Sequence, residues 1–152
     1  MSNEFDQFQA WLMDMGDVLD RFMRTLPRSD AAALDSSVKS LDRVEALILS
    51  RYASVAPARA PGEAGALDGF ARHVGELFRH HFGGRWKIEL DDARNAFFRL
   101  PRVCGMTGRQ VQLCPLKLVT TAVDRRSGAV LRTIFENDRK KQGGGPSATA
   151  RS

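Results

Sequence analysis

Seven apolar residues, Phe5, Phe8, Leu12, Met15, Leu19, Phe22 and Leu26, recur at alternating steps of three and four. That spacing predicts one helix with a continuous apolar stripe, ending before Pro27, whose ring has no N–H to continue the hydrogen-bond ladder. Ser2 or Asn3 can cap its start. With Phe5 at heptad position a, the e and g positions are Gln9, Gly16, Met23 and Trp11, Val18, Thr25, none of them charged. A free two-stranded coiled coil usually carries charges there. Trp11, Val18 and Met23 widen the stripe instead, so the helix is expected to pack within its own domain, with a homodimer through this first helix as the alternative. Asp6, Asp14, Asp17 and Asp20 lie on the opposite face.

The rest of the chain reads as further amphipathic pieces. Ser29 or Asp30 can cap a second helix whose face, Leu34, Val38, Leu41, Val44, Leu47 and Ile48, runs to about Tyr52. Two prolines and two glycines over residues 54–66 predict a connecting loop. Leu67, Phe70, Ala71, Val74, Leu77, Phe78 and His81 share one side of a third helix, stopped by Gly83 and Gly84. Trp86, Ile88 and Leu90 then alternate with Arg85, Lys87 and Glu89, the period of a half-buried strand. Residues 96–100 and 109–113 read as two more short strands. Residues 116–123 are β-branched enough for a strand, but Pro115 suits the first position of a helix, which is the favoured reading to about Arg126. Leu131, Ile134 and Phe135 begin a last helical face.

A length of 152 residues favours one domain. The expected fold is α+β, with N-terminal helices packed with a small antiparallel β-meander and C-terminal helices. The domain is expected over 1–138 with 54–66 as an internal loop, and 139–152, rich in glycine and small polar residues, as a disordered tail. Hydrophobic residues at 43% exclude a wholly disordered chain. No aliphatic run approaches the roughly 18 residues of a membrane span. The acidic start, MSNEFDQF, is unlike a signal peptide, so a cytoplasmic address is expected, with Cys104 and Cys114 as thiols.

Net charge is +5 but unevenly placed. Residues 1–50 hold nine acids against five bases, whereas 102–152 hold three against ten. Arg94, Arg99, Arg102, Arg109, Lys117, Arg125, Arg126 and Arg132, interleaved with Trp86, Phe97 and Phe98, can be read as a nucleic-acid groove. Four late bases, Arg139, Lys140, Lys141 and Arg151, sit in the tail, which weakens total charge as an argument. His73, Glu76 and His80 fall within about 60° on a regular helix, but neither HExxH order nor a partnering cysteine pair accompanies them, so no metal and no cofactor is expected. No nucleophile elbow, phosphate loop or catalytic triad order is present, and the chain is not expected to be an enzyme.

The segments SLDRVEALILSRY, LDGFARHVGELFRHHFGGRW and CPLKLVTTAVDRRSGAVL resemble small bacterial α+β domains of uncharacterised function, some associated with toxin and immunity gene neighbourhoods. The resemblance spans about residues 40–136 and rests on Gly75-Glu76, Gly83-Gly84-Arg85-Trp86 and Cys114-Pro115. It implies an immunity or regulatory protein and no active site. Together with the charge pattern, the expected function is a protein-interaction module presenting Asp14, Asp17 and Asp20 to a basic partner, with nucleic-acid binding through the C-terminal half as the alternative.

Overall fold

The computed structural model describes residues 3–107 and 112–151. The heptad stripe forms two helices rather than one, α1 (Glu4–Met13) and α2 (Met15–Arg24), meeting at Asp14. Asn3 caps α1 by accepting the Asp6 amide at 2.8 Å. Asp14 leaves helical geometry with φ −86° and ψ 4°, yet its amide still reaches the Ala10 carbonyl at 3.0 Å and its carbonyl accepts the Val18 amide at 2.8 Å. The hydrogen-bond ladder therefore continues through the break, as does the apolar stripe.

The expected second helix is also divided, into α3 (Arg28–Ala33) and α4 (Lys39–Arg51). Between them, Asp35 accepts the Ser37 amide at 2.9 Å, and the Ser40 hydroxyl donates to the carbonyls of Asp35 and Ser37 at 2.9 and 2.7 Å. Short polar side chains here outcompete the helical ladder for backbone groups. The segment expected as a plain loop holds α5 (Val55–Ala58), a 3-10 turn (Pro61–Glu63) and the start of α6 (Ala64–Phe82).

Helix α6 lies at the centre. Leu67, Phe70, Val74, Leu77 and Phe78 are buried along its length, and α2 and α4 pack against it. Two glycines let aromatic rings come down onto its backbone. A Cβ at Gly69 would stand 2.3 Å from the Phe22 ring, and one at Gly75 would stand 2.2 Å from Cη2 of Trp86. Rings then interlock edge to face, Phe22 on Phe70 at 4.9 Å and Phe78 on Phe135 at 5.4 Å, a geometry that adds to area burial.

Gly83 and Gly84, with φ of 74° and 97°, stop α6 and turn the chain into β1 (Arg85–Lys87). It pairs antiparallel with β2 (Arg102–Cys104), Arg85 opposite Cys104 and Lys87 opposite Arg102. Val103 also exchanges both backbone bonds with Leu113, at 2.7 and 3.0 Å. Of the strand expected over 109–113, residues 109–111 lie outside the described residues. Residues 96–100 form turns instead of a strand. Asn95 accepts the Phe97 amide at 2.8 Å, Arg99 takes a left-handed φ of 66°, and pairing is limited to a parallel bridge between Glu89 and Phe98.

Residues 116–123 are helical within α7 (Pro115–Arg125), with Pro115 in its first turn. Arg126 follows at φ 55° and donates to the carbonyls of Leu49, Tyr52 and Ala53 at 3.0, 2.8 and 3.0 Å, closing the end of α4. Helix α8 (Val130–Arg151) completes the chain and packs on α4 and α7. The fold is thus α+β, with helices at both ends of a small antiparallel sheet, and α7 lies along α6. No helix among the described residues is long and apolar enough to cross a membrane.

Candidate interaction site

One flank of α6 carries Asp68, Arg72, Glu76 and Arg79, spaced so that neighbours along the helix can meet. Arg72 Nε donates to Asp68 Oδ2 at 2.7 Å, and its Nη1 donates to the Trp11 carbonyl at 2.7 Å. Its guanidinium carbon lies 4.1 Å from the centre of the Trp11 ring. Trp11 in turn donates its indole N–H to Asp68 Oδ1 at 2.8 Å. Only 4% of the Arg72 side chain remains exposed, so its charge needs these contacts to offset lost hydration.

One turn further on, Glu76 Oε2 accepts the Trp86 indole N–H and Arg79 Nη1, each at 2.7 Å. Trp86 stands edge-on to Trp11 with ring centres 4.9 Å apart. Both indoles are therefore fixed at their polar ends and in contact at their apolar bodies. Beside them opens a cavity of about 270 Å³, lined by Trp11, Trp86, Leu67, Pro101, Pro115 and Leu116, with Asp68 at its edge. Nearly every lining group is apolar, which suits desolvation of a nonpolar side chain better than chemistry on a polar substrate.

Asp14, Asp17 and Asp20 are exposed, and none forms an ion pair among the described residues. Asp14 sits at the junction of α1 and α2, three residues after Trp11, and Asp17 lies in the first turn of α2. Phe5 and Met13 on α1 remain 52% and 84% exposed. The N-terminal segment thus carries the acidic face and contributes Trp11 to the cavity, whose other walls come from α6, β1, Pro101 and α7.

The weighed metal set does not converge. His73 is buried, His80 is exposed, and the Glu76 carboxylate is turned to Trp86 and Arg79. Burial pushes the His73 imidazole below its ordinary value against the opposing charge of Asp35, and its Nε2 has no hydrogen-bond partner among the described residues. No group of three or more potential metal ligands occurs among the described residues. His81 instead donates Nε2–H to the Ser36 carbonyl at 2.6 Å and packs edge-on to Phe135.

Most of the arginines read as a groove are dispersed over separate contacts, whereas Lys117 and Arg125 are exposed and form no ion pair among the described residues. Arg132 pairs with Asp42, Arg99 with Glu4 at 2.8 Å, and Arg94 with Asp92 at 3.2 Å. Arg126 serves carbonyls of the α4 terminus, Arg102 is buried against Cys104, and Arg109 lies outside the described residues. Trp86 is part of the core, while Phe97 and Phe98 are partly buried. Cys104 is half-buried and Cys114 buried, both as free thiols; burial pushes the Cys114 thiol up.

Periodicity assigns Trp11 to the widened apolar stripe and Trp86 to the buried side of a strand or to the nucleic-acid groove, and singles out neither Asp68 nor Arg72. Their i,i+4 spacing on a long amphipathic helix was the available signal, but the meeting of two indoles 75 positions apart was not. No family model matches the chain, and no curated protein or solved structure matches it either.

Proposed function

We propose that the chain is a protein-interaction module that binds a basic protein partner, acting as an immunity or regulatory protein by occupying that partner's surface. The observation that carries this reading is that Trp11 of α1 helps to wall an apolar cavity while Asp14, Asp17 and Asp20, three, six and nine positions further on, are exposed and form no ion pair among the described residues. At about 270 Å³ the cavity lies just under the roughly 300–1,000 Å³ of small-molecule sites, and it suits one large apolar side chain. Asp14, Asp17 and Asp20 would attract the partner at long range, and the cavity would hold it by desolvating an anchor. Such binding needs no nucleophile, metal or cofactor. Nucleic-acid binding has weaker support, because Arg94, Arg99, Arg102, Arg126 and Arg132 are engaged within the chain.

The test starts from capture at native expression and identification of any stoichiometric partner by mass spectrometry. Affinity for that purified partner is then compared among the wild type, Leu116→Glu and the triple variant Asp14→Asn, Asp17→Asn, Asp20→Asn. Leu116→Glu should weaken binding by about 30-fold, as loss of an anchoring pocket does. The triple variant should slow association and flatten its salt dependence. Unchanged binding by both variants would overturn the proposal.

A further inference from the structure

A second feature lies on the sheet, away from the tryptophan cavity. Alternation along β1 puts Arg85 and Lys87 on one face and sends Trp86 to the interior. Their cross-strand partners are Cys104 and Arg102, so the same face carries three cations around one thiol. Arg102 is only 8% exposed and aims its guanidinium at that thiol, with Nε donating to Sγ at 3.3 Å. Its Nη1 has no hydrogen-bond partner among the described residues. The nearby Glu89 carboxylate is 3.9 Å from Nη2 of Arg102 and is turned to the amides of Asp91 and Asp92 at 3.0 and 2.9 Å.

Arg85 and Lys87 are exposed and form no ion pair among the described residues. With Gly84, Cys104 and Gly105 they line a cleft of about 420 Å³. Gly105, at φ 78°, presents no side chain, and a Cβ there would meet nothing within 4 Å. Gly105 therefore adds no side chain to the wall of the cleft that Cys104 lines. A buried, incompletely paired guanidinium on the sulfur and two unpaired cations at the mouth fit a reagent that brings negative charge to a thiol.

We propose that Cys104 is a site of S-thiolation by small acidic disulfides of the oxidised glutathione class, whose carboxylates Arg85 and Lys87 receive. The Cys104 sulfur attacks one sulfur of the incoming disulfide. A new S–S bond forms to Cys104, the original S–S bond breaks, and the departing thiol takes up the proton that Cys104 gives up. One thiol and one disulfide enter the step and one of each leaves it, so no further oxidant is needed. Negative charge is shared among the sulfurs during exchange, and the three cations lie where they stabilise it. Cys114, 3% exposed at the start of α7, is the internal comparison.

The full-length protein is treated under native conditions with oxidised glutathione or with cystamine, a cationic disulfide, at low ionic strength. Intact mass and peptide mapping follow each cysteine, and every rate is divided by that of N-acetylcysteine with the same reagent. Cys104 should gain one glutathionyl group before Cys114 and should favour the anionic reagent by about tenfold. The surface double variant Arg85→Gln, Lys87→Gln should lose that preference while its circular dichroism stays that of the wild type. The proposal is overturned if Cys104 remains unmodified, if Cys114 reacts first, if the wild type shows no preference for the anionic reagent, or if the preference persists in the double variant.

Discussion

The carboxylate of Glu45, in the middle of α4, accepts the backbone amide of Leu131 at 2.8 Å across 86 positions of sequence. Its other oxygen accepts the Val130 amide at 3.0 Å. Glu45 is 1% exposed, so the first amides of α8 have this side chain in place of water. Glu45→Ala should destabilise the fold by about 3 kcal/mol, since it strands two buried donors. Glu45→Gln, which keeps one acceptor oxygen, should fall between that variant and the wild type. Urea unfolding of the three proteins checks the order.

Substitution of a helical glycine by alanine ordinarily adds up to about 1 kcal/mol of stability. Two glycines of α6 should respond with opposite signs. At Gly65 a Cβ would meet nothing within 4 Å, and Gly65→Ala should stabilise. At Gly75 the Cβ would meet the Trp86 ring at 2.2 Å, and Gly75→Ala should destabilise by about 1–3 kcal/mol. Thermal unfolding gives the sign, and the tryptophan emission of the second variant should shift as Trp86 moves.

Tyr52 is the sole tyrosine of the chain, so phenolate absorbance reports it alone. Burial, and then the Glu63 carboxylate, push its hydroxyl from 10.0 up to about 12. The native protein should therefore titrate near the higher value and the urea-unfolded chain near the lower. Because the folded state resists losing this proton, the associated stability is intact below the unfolded value of 10.0 and is lost as pH rises towards about 12. Tyr52→Phe should remove this alkaline dependence.

His73 should act at the other end of the pH scale. Its imidazole is held below the ordinary value of 6.5 by burial, with Asp35 pulling weakly the other way. Below 6.5 the unfolded chain takes up a proton that the folded chain resists, so stability falls as pH drops from there towards the lower folded value. His73→Met, apolar and of comparable bulk, should flatten this slope. The difference between the two proteins across pH 5 to 7, a window of about two units around the imidazole range, isolates it from His80 and His81.

The placement of the long apolar faces was legible because periodicity reports which side of a helix is covered. Leu67, Phe70, Val74, Leu77 and Phe78 are buried on α6 as their spacing predicts, and Gly83 and Gly84 end it with positive φ. Breaks were harder to read. The apolar stripe passes through Asp14 unchanged, so hydrophobic spacing holds no trace of the break. The division at residues 34–38 had a local cause in Asp35, Ser37 and Ser40, whose side chains bond backbone groups. Phe97 and Phe98 suggested a pleated strand, but Asn95 and the left-handed Arg99 turn the chain there. At the candidate site, Asp14, Asp17 and Asp20 were legible as an exposed face. The contact of Trp11 with Trp86 depends on how α1, α6 and β1 assemble, which no local pattern encodes.

The last quarter of the chain supplies what α4 lacks: Arg126 covers its terminal carbonyls, and the amides at 130 and 131 occupy Glu45. During synthesis from the N-terminus, α4 must wait, with that carboxyl group still hydrated, until these later residues leave the ribosome. A nascent chain stopped before residue 126 would lack both fastenings, so α4 gains them only after residues 126–131 have been made.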